Sequence, residues 1–179
     1  MKFRLVASPL GNIVVAGDRE GLRQVDFQIG RYGVISIPED WEEDEVFPLL
    51  RRAAEQITAY FEGRRRTFSL PLAPLGTPFQ HRVWAELLRI PWGSTISYTT
   101  LAKRAGRPKA VRAAGAANGR NPISIVVPCH RVVGKDGRLT GYGGGLEKKR
   151  ALLELERAHL PEHLRTRPSR VHPDAVARA

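Results

Sequence analysis

Residues 97–117 read Ser97-Tyr98-Thr99-Thr100-Leu101-Ala102-Lys103-Arg104-Ala105-Gly106-Arg107-Pro108-Lys109-Ala110-Val111-Arg112-Ala113-Ala114-Gly115-Ala116-Ala117. Ser97 caps a short predicted helix from Tyr98 to Ala105, Gly106-Arg107 makes a tight turn, and Pro108 opens a second helix that runs to about Ala117. Two short helices joined by a glycine-containing turn are a helix-turn-helix. In the second helix small residues alternate with the basic Lys109 and Arg112. That pattern suits a helix packed closely against its neighbours. It equally suits a low-profile helix that enters a nucleic-acid groove while Arg112 projects.

The flanks extend this unit. Thr77, Pro78 and Gln80 form a strong helix start, with Val83, Trp84, Leu87 and Leu88 as its apolar face and Pro91 as its end. Ile123 to Val127 is an apolar run of strand type that stops at Pro128, Gly141 to Gly145 is a flexible loop, and Leu146 to Glu156 is an amphipathic helix. The tail after His159 carries three prolines and is expected to fray. Upstream, Phe3, Leu5 and Ala7 alternate with polar neighbours, Gly11-Asn12 turns into Ile13 to Ala16, and Leu22 to Phe27 makes a third strand. The acidic stretch 39–45 reads as a solvated loop, Phe47 to Phe61 as a helix, and Thr67 to Leu70 as a short strand. Composition shifts at Pro71 to Gly76, a linker. The expected fold is a small α/β domain over 1–75, a mostly α helix-turn-helix domain over 76–158, and a basic tail over 159–179.

Charge follows the same division. The chain of 179 residues has a net charge of +11, with −1 on residues 1–75, +10 on 76–158 and +2 on 159–179. Positive charge concentrated in one segment points to a polyanion partner, because each neutralised phosphate releases counterions. A 42% hydrophobic, 26% charged composition is that of a globular chain. The single cysteine excludes an internal disulfide and a cysteine-rich zinc module, and it suits a reducing, cytoplasmic setting. No apolar run reaches the ~20 residues of a membrane span, and the first twelve residues hold no secretory signal.

That cysteine sits in Val127-Pro128-Cys129-His130-Arg131-Val132-Val133. A lone cysteine is commonly a small buried hydrophobe, but here proline breaks the strand before the sulfur, and a base and a cation follow it. Cationic surroundings and a nearby base favour thiolate. Neighbours on a strand face opposite ways, so His130 would reach the sulfur through a bridging water. Glu156 is a candidate to orient the imidazole, although no spacing rule selects it.

Asn121-Pro122-Ile123, Pro128-Cys129-His130-Arg131-Val132-Val133 and Gly141-Tyr142-Gly143-Gly144-Gly145-Leu146 together closely resemble the O6-alkylguanine-DNA alkyltransferases. The likeness is unbroken from about Thr77 to Glu156 and looser over the first 75 residues. It implies a ribonuclease-H-like N-terminal domain and a winged-helix-like, helix-turn-helix C-terminal domain. The implied activity is direct reversal of DNA damage: the alkyl group of O6-methylguanine, and of O4-methylthymine, passes irreversibly to Cys129, one per molecule. By the same resemblance His130 takes the thiol proton through a water, Glu156 orients His130, and Asn121 braces the segment between the DNA-reading helix and the active site. Tyr98 assists at the flipped guanine, Arg112 fills the vacated place in the duplex, and Tyr142 and Gly143 lie in the loop over the base pocket. Lys109, Ala113 and Arg120 join the implied DNA surface, which enters the minor groove of double-stranded DNA. No cofactor, metal or membrane is implied, and a monomer is expected.

Two positions depart from the family pattern. Arg107, before the proline of the second helix, has no short oxygen to cap with. Gly143 stands where some members carry serine, so backbone N–H must serve there. Pro161 between His159 and His163 argues against a helical metal pair. A helix-turn-helix protein without chemistry gives no reason for Pro128-Cys129-His130. A cysteine hydrolase would need no basic groove. The 141–145 glycine run lacks the strand–helix setting of a nucleotide-binding loop for a diffusible methyl donor, and non-repairing relatives lack the acceptor cysteine.

Overall fold

A computed structural model describes residues 1–31 and 33–165 of the chain, which divides into two compact units. One unit comprises Met1–Leu75 and Pro122–Val126; the other comprises Gly76–Asn121 and the described residues from Val127 onward.

The first unit is built on a four-stranded sheet. β1 (Lys2–Val6) pairs antiparallel with β2 (Ile13–Gly17), with Phe3 opposite Ala16 and Leu5 opposite Val14, and β2 pairs antiparallel with β3 (Leu22–Phe27). β4 (Ile29–Gly30) and β5 (Gly33–Val34) make a separate small hairpin. β2 is central and buried along its whole length, which is why it reads as a continuous apolar run. On β1 the buried residues are Phe3 and Val6, while Ala7 lies exposed beyond the strand, so strict alternation is not kept. Helix α1 (Pro48–Phe61) packs on β1 and β2 through Leu50, Ala53, Ala54 and Ile57.

Two expectations fail here for physical reasons. The acidic stretch is not all loop: β6 (Glu42–Glu43) runs parallel to β1, drawn in by Lys2, whose Nζ lies 2.7 Å from Glu42 and 3.0 Å from Asp44. Thr67 to Leu70 forms no strand. The Ser69 backbone is satisfied by the Gln56 side chain instead, its N–H donating at 2.9 Å, and pairing shrinks to a single bridge between Leu22 and Leu72.

In the second unit, α2 (Pro78–Leu88) begins with both bonds of a capping box between Thr77 and Gln80. α3 (Tyr98–Arg104) follows Ser97, whose hydroxyl accepts from the Thr100 N–H at 3.1 Å. α4 (Val111–Gly119) starts three residues later than expected. Pro108 and Lys109 sit instead in a turn closed by Ala110 N–H donating to the Arg107 carbonyl, where proline's fixed φ suits the second position. β7 (Ile96–Ser97) pairs in parallel with β8 (Val132–Val133), and α5 (Leu146–Ala158) and the short α6 (Glu162–Arg165) complete the described chain. The end of the tail, from residue 166, lies outside the described residues. Val83, Trp84, Leu87, Leu101, Ala114 and Ala117 form the core of α2, α3 and α4, and the Trp84 indole donates to the Ala117 carbonyl at 2.9 Å.

Candidate active site

The segment before the cysteine is a pair of tight turns, not the strand expected over 123–127. Only Ile123 makes a bridge, to Val25. The Val126 N–H then donates to the Ser124 carbonyl at 2.8 Å across Ile125, whose φ is 71°. This is a three-residue turn of the strained hand, costing a β-branched residue about 1–3 kcal/mol. A second such turn, of the relaxed hand, follows at Pro128 (φ −81°, ψ 66°), where the Cys129 N–H donates to the Val127 carbonyl at 2.8 Å. Proline is pre-set for that φ. The Asn121 amide donates to the same Val127 carbonyl at 2.8 Å, tying the end of α4 to the approach to Cys129.

Cys129 opens a 3₁₀ turn, Cys129–Arg131. Consecutive residues there lie about 120° apart, so His130 and the sulfur do not point to opposite faces as a strand would require. Cys129 keeps 4% of its surface, His130 none. The His130 Nε2 lies 2.8 Å from Glu156 Oε1. Glu156 is wholly buried, and it also receives the Arg131 Nε at 3.1 and 3.0 Å, the Arg131 Nη2 at 2.9 Å and the Gly93 N–H at 2.9 Å. Gly93 is required where it stands: its φ is 69°, and a Cβ would meet Leu160 at 2.7 Å.

These contacts set the charges. Burial opposes ionisation of Glu156, but the His130 ring and the Arg131 guanidinium outweigh it and hold the carboxyl down to about 2. Burial pushes His130 below its ordinary value, so the ring is neutral at pH 7. An ionised carboxylate only accepts, which assigns the imidazole proton to Nε2 and leaves Nδ1 as the basic nitrogen. Arg131 therefore serves the carboxylate and, through Nη1 at 2.6 Å, the Ile90 carbonyl; it is not the cation beside the thiol that the sequence order suggested.

That place belongs to Lys149, a residue the sequence reading did not single out. It is fully buried on α5, donates to the Thr140 carbonyl at 2.7 Å and to the Tyr98 hydroxyl at 3.4 Å, and lies 5.7 Å from the Tyr98 ring centroid. Burial lowers Lys149 to about 8, and a negative Cys129 nearby favours its charge. Tyr98 is pushed up by burial and by the same Cys129 charge, so it is a protonated donor at neutral pH. A signal was present: Leu146, Lys149, Leu152, Leu153 and Glu156 share one helical stripe, and two charged residues on an otherwise buried face are a site pattern.

The other expected residues fall into two groups. Tyr142 is buried and Gly143 half-buried in the loop after Thr140, with open space at the Gly143 Cβ position. Arg112, Ala113 and Arg120 lie exposed along one side of α4 with Ala116 and Gly119, while Ala114, Ala117 and Asn118 face inward. Lys109 is exposed in the preceding turn, not on the helix. Among the described residues no cluster of three or more His, Cys, Asp or Glu is placed to hold a metal ion, and no helix is long and apolar enough to cross a membrane.

Residues 1–74 match the ribonuclease-like domain, and residues 78–158 the DNA binding domain, of 6-O-methylguanine DNA methyltransferase. The chain belongs to the 6-O-methylguanine DNA methyltransferase family. It is 49% identical over 160 residues to the methylated-DNA–protein-cysteine methyltransferase of Methanosarcina barkeri, a match that spans 89% of this chain and 99% of that one. The crystal structure of the Mycobacterium tuberculosis O6-methylguanine methyltransferase is similar with a TM-score of 0.81 and 44% identity, covering 91% of this chain and 96% of that one. Mycobacterium tuberculosis OGT in complex with DNA gives 0.81 and 43%, covering 92% and 98%. The N-terminal sheet domain and C-terminal helical domain are thus the family's two-domain fold.

Proposed function

We propose that this protein repairs double-stranded DNA by moving the alkyl group of O6-methylguanine, and of O4-methylthymine, onto the sulfur of Cys129. The observation that carries the reading is the buried Glu156 carboxylate fixing a neutral His130 directly after Cys129. With its proton held on Nε2, His130 accepts the thiol proton at Nδ1 through a water. The thiolate, beside the Lys149 ammonium, attacks the alkyl carbon in line, and the carbon–oxygen bond breaks as the carbon–sulfur bond forms. Tyr98 gives its hydroxyl proton to the departing base, and Lys149, 3.4 Å from that oxygen, steadies the charge left behind. The thioether is stable and the sequence suggests no second nucleophile to remove it, so each molecule acts once and needs no cofactor.

The target carbon is inaccessible in the base stack, so the nucleotide must be rotated out at a cost of a few kcal/mol. On α4 the exposed Ala113, Ala116 and Gly119 make a low profile flanked by Arg112 and Arg120, which fits close approach to the minor groove. Asn121 braces Cys129 against that helix. Within this reading, residues 76–158 carry binding and chemistry, with the β7–β8 pair as the winged-helix-like element. Residues 1–75 form the ribonuclease-H-like domain, and the basic tail adds charge. The protein acts as a monomer in the cytoplasm, where its single cysteine stays reduced.

The test is the intact mass after incubation with a duplex carrying O6-methylguanine. One permanent gain of about 14 Da on Cys129 is expected; binding without mass gain would make the chain a helix-turn-helix DNA-binding protein without chemistry, and turnover beyond one equivalent another kind of enzyme. Arg112→Ala should slow transfer from duplex about tenfold or more while sparing transfer from free O6-benzylguanine. Equal losses on both substrates would remove its role in extrusion.

A further inference from the structure

Two arginines converge on one ring at the edge of the helix-turn-helix. The Arg82 guanidinium carbon lies 5.6 Å from the centroid of Phe79, and that of Arg107 lies 5.2 Å from it. Phe79 is half-buried near the start of α2, Arg82 stands one turn later, and Arg107 comes from the turn before α4. Both guanidiniums are exposed, and among the described residues neither has a carboxylate partner. The nearest acid along α2, Glu86, is taken by Arg89 at 2.6 Å, and the first turn of α2 contains no acid. Like charges gathered on an aromatic anchor, with their planar donor forks unused, lack a counter-anion.

We infer that Arg82, Phe79 and Arg107 form a clamp for the DNA backbone, separate from Arg112, that grips phosphodiester oxygens beside the helix-turn-helix. The clamp rests on the DNA-repair reading and adds a place to it. Phe79 limits the motion of both side chains by cation–π contact, so little freedom is lost when they meet a phosphate. Guanidinium suits that ligand because its fork matches two phosphate oxygens at once. The turn before α4, closed by the Ala110 N–H on the Arg107 carbonyl, is what carries Arg107 to the Phe79 ring. The clamp carries no base information, so it acts equally on damaged and undamaged duplex.

The experiment is a salt titration of binding to an undamaged duplex, comparing wild type, the double variant Arg82→Gln/Arg107→Gln, and Arg89→Gln as a control for the loss of one exposed positive charge at the far end of α2. Each neutralised phosphate contributes about 0.9 to the slope of log affinity against log salt. The double variant should lose between one and two units of slope and roughly tenfold or more in affinity, with alkyl transfer from free O6-benzylguanine unchanged. Arg89→Gln should leave the slope near the wild-type value. A double variant with the slope of wild type or of Arg89→Gln overturns the clamp while leaving the repair reading intact. A wild type that binds no duplex overturns both. Replacing chloride by inorganic phosphate at constant ionic strength separates the sources of the anion: loss of the difference between variants would assign the site to free phosphate instead.

Discussion

Glu156→Gln lowers the stability of the protein by about 3–5 kcal/mol and slows alkyl transfer by on the order of a hundredfold. Glutamine keeps the shape and one acceptor oxygen, so the Gly93 N–H keeps a partner. What disappears is the charge that faces Arg131, which retains only 5% of its surface. Breaking a buried pair from one side leaves the other ion uncompensated. His130 meanwhile loses the acceptor that fixes its proton on Nε2, and the amide can present N–H to the ring instead. The stability part has a pH signature. The carboxyl sits at about 2 in the folded protein against an ordinary 4.5, so its contribution is fully present above pH 4.5 and is lost as pH falls from there toward 2. Urea unfolding of wild type and Glu156→Gln should therefore differ most near pH 7 and converge toward pH 3. A gap that stays constant over that range would mean that lost packing, not charge, is responsible.

Lys149→Met moves stability and rate in opposite directions. The ammonium is fully buried, and its value of about 8 against an ordinary 10.5 corresponds to about 3 kcal/mol of strain in holding it charged. Methionine has similar length and no charge, so the variant should gain roughly 1–3 kcal/mol at neutral pH, the loss of the bond to Thr140 offsetting part of the relief. Alkyl transfer should fall by about 10–100-fold, because the thiolate and the Tyr98 oxygen lose a cation that interacts with both. The penalty on wild type is fully present below pH 8 and fades as pH rises through 8 to 10.5, where the unfolded chain still binds the proton and the folded one does not. Wild-type stability should climb across that interval and the variant's should not. A less stable variant with undiminished transfer would make Lys149 a packing residue.

The contrast between these two residues bears on what was legible beforehand. Glu156 entered as a candidate that no spacing rule selects and that the family resemblance then supported, and Lys149 did not enter at all, although both lie on the stripe of α5 that faces inward. Charged side chains on a buried face are a pattern in the sequence, but which atoms they meet depends on segments 9 to 63 residues away, at Thr140, His130, Arg131 and Gly93. Ile123 to Val127 shows the complementary failure. Its composition is that of a strand, yet hydrogen bonding to Val25 and the turns at Ile125 and Pro128 override that preference.

By itself the sequence determined what is local: the caps at Thr77 and Ser97, the stop at Pro91, the run of β2, and the reactive setting of Cys129 between a proline and a histidine. Caps, turns and periodicity act within a few residues, so short stretches suffice to specify them. Only the tertiary structure decided that Arg131 turns to Glu156, that Lys149 rather than Arg131 is the cation near the sulfur, and that Arg82 and Arg107 share one ring. Each of these is a pairing between distant segments, and its strength comes from desolvation and from distance, which exist only once the chain has folded.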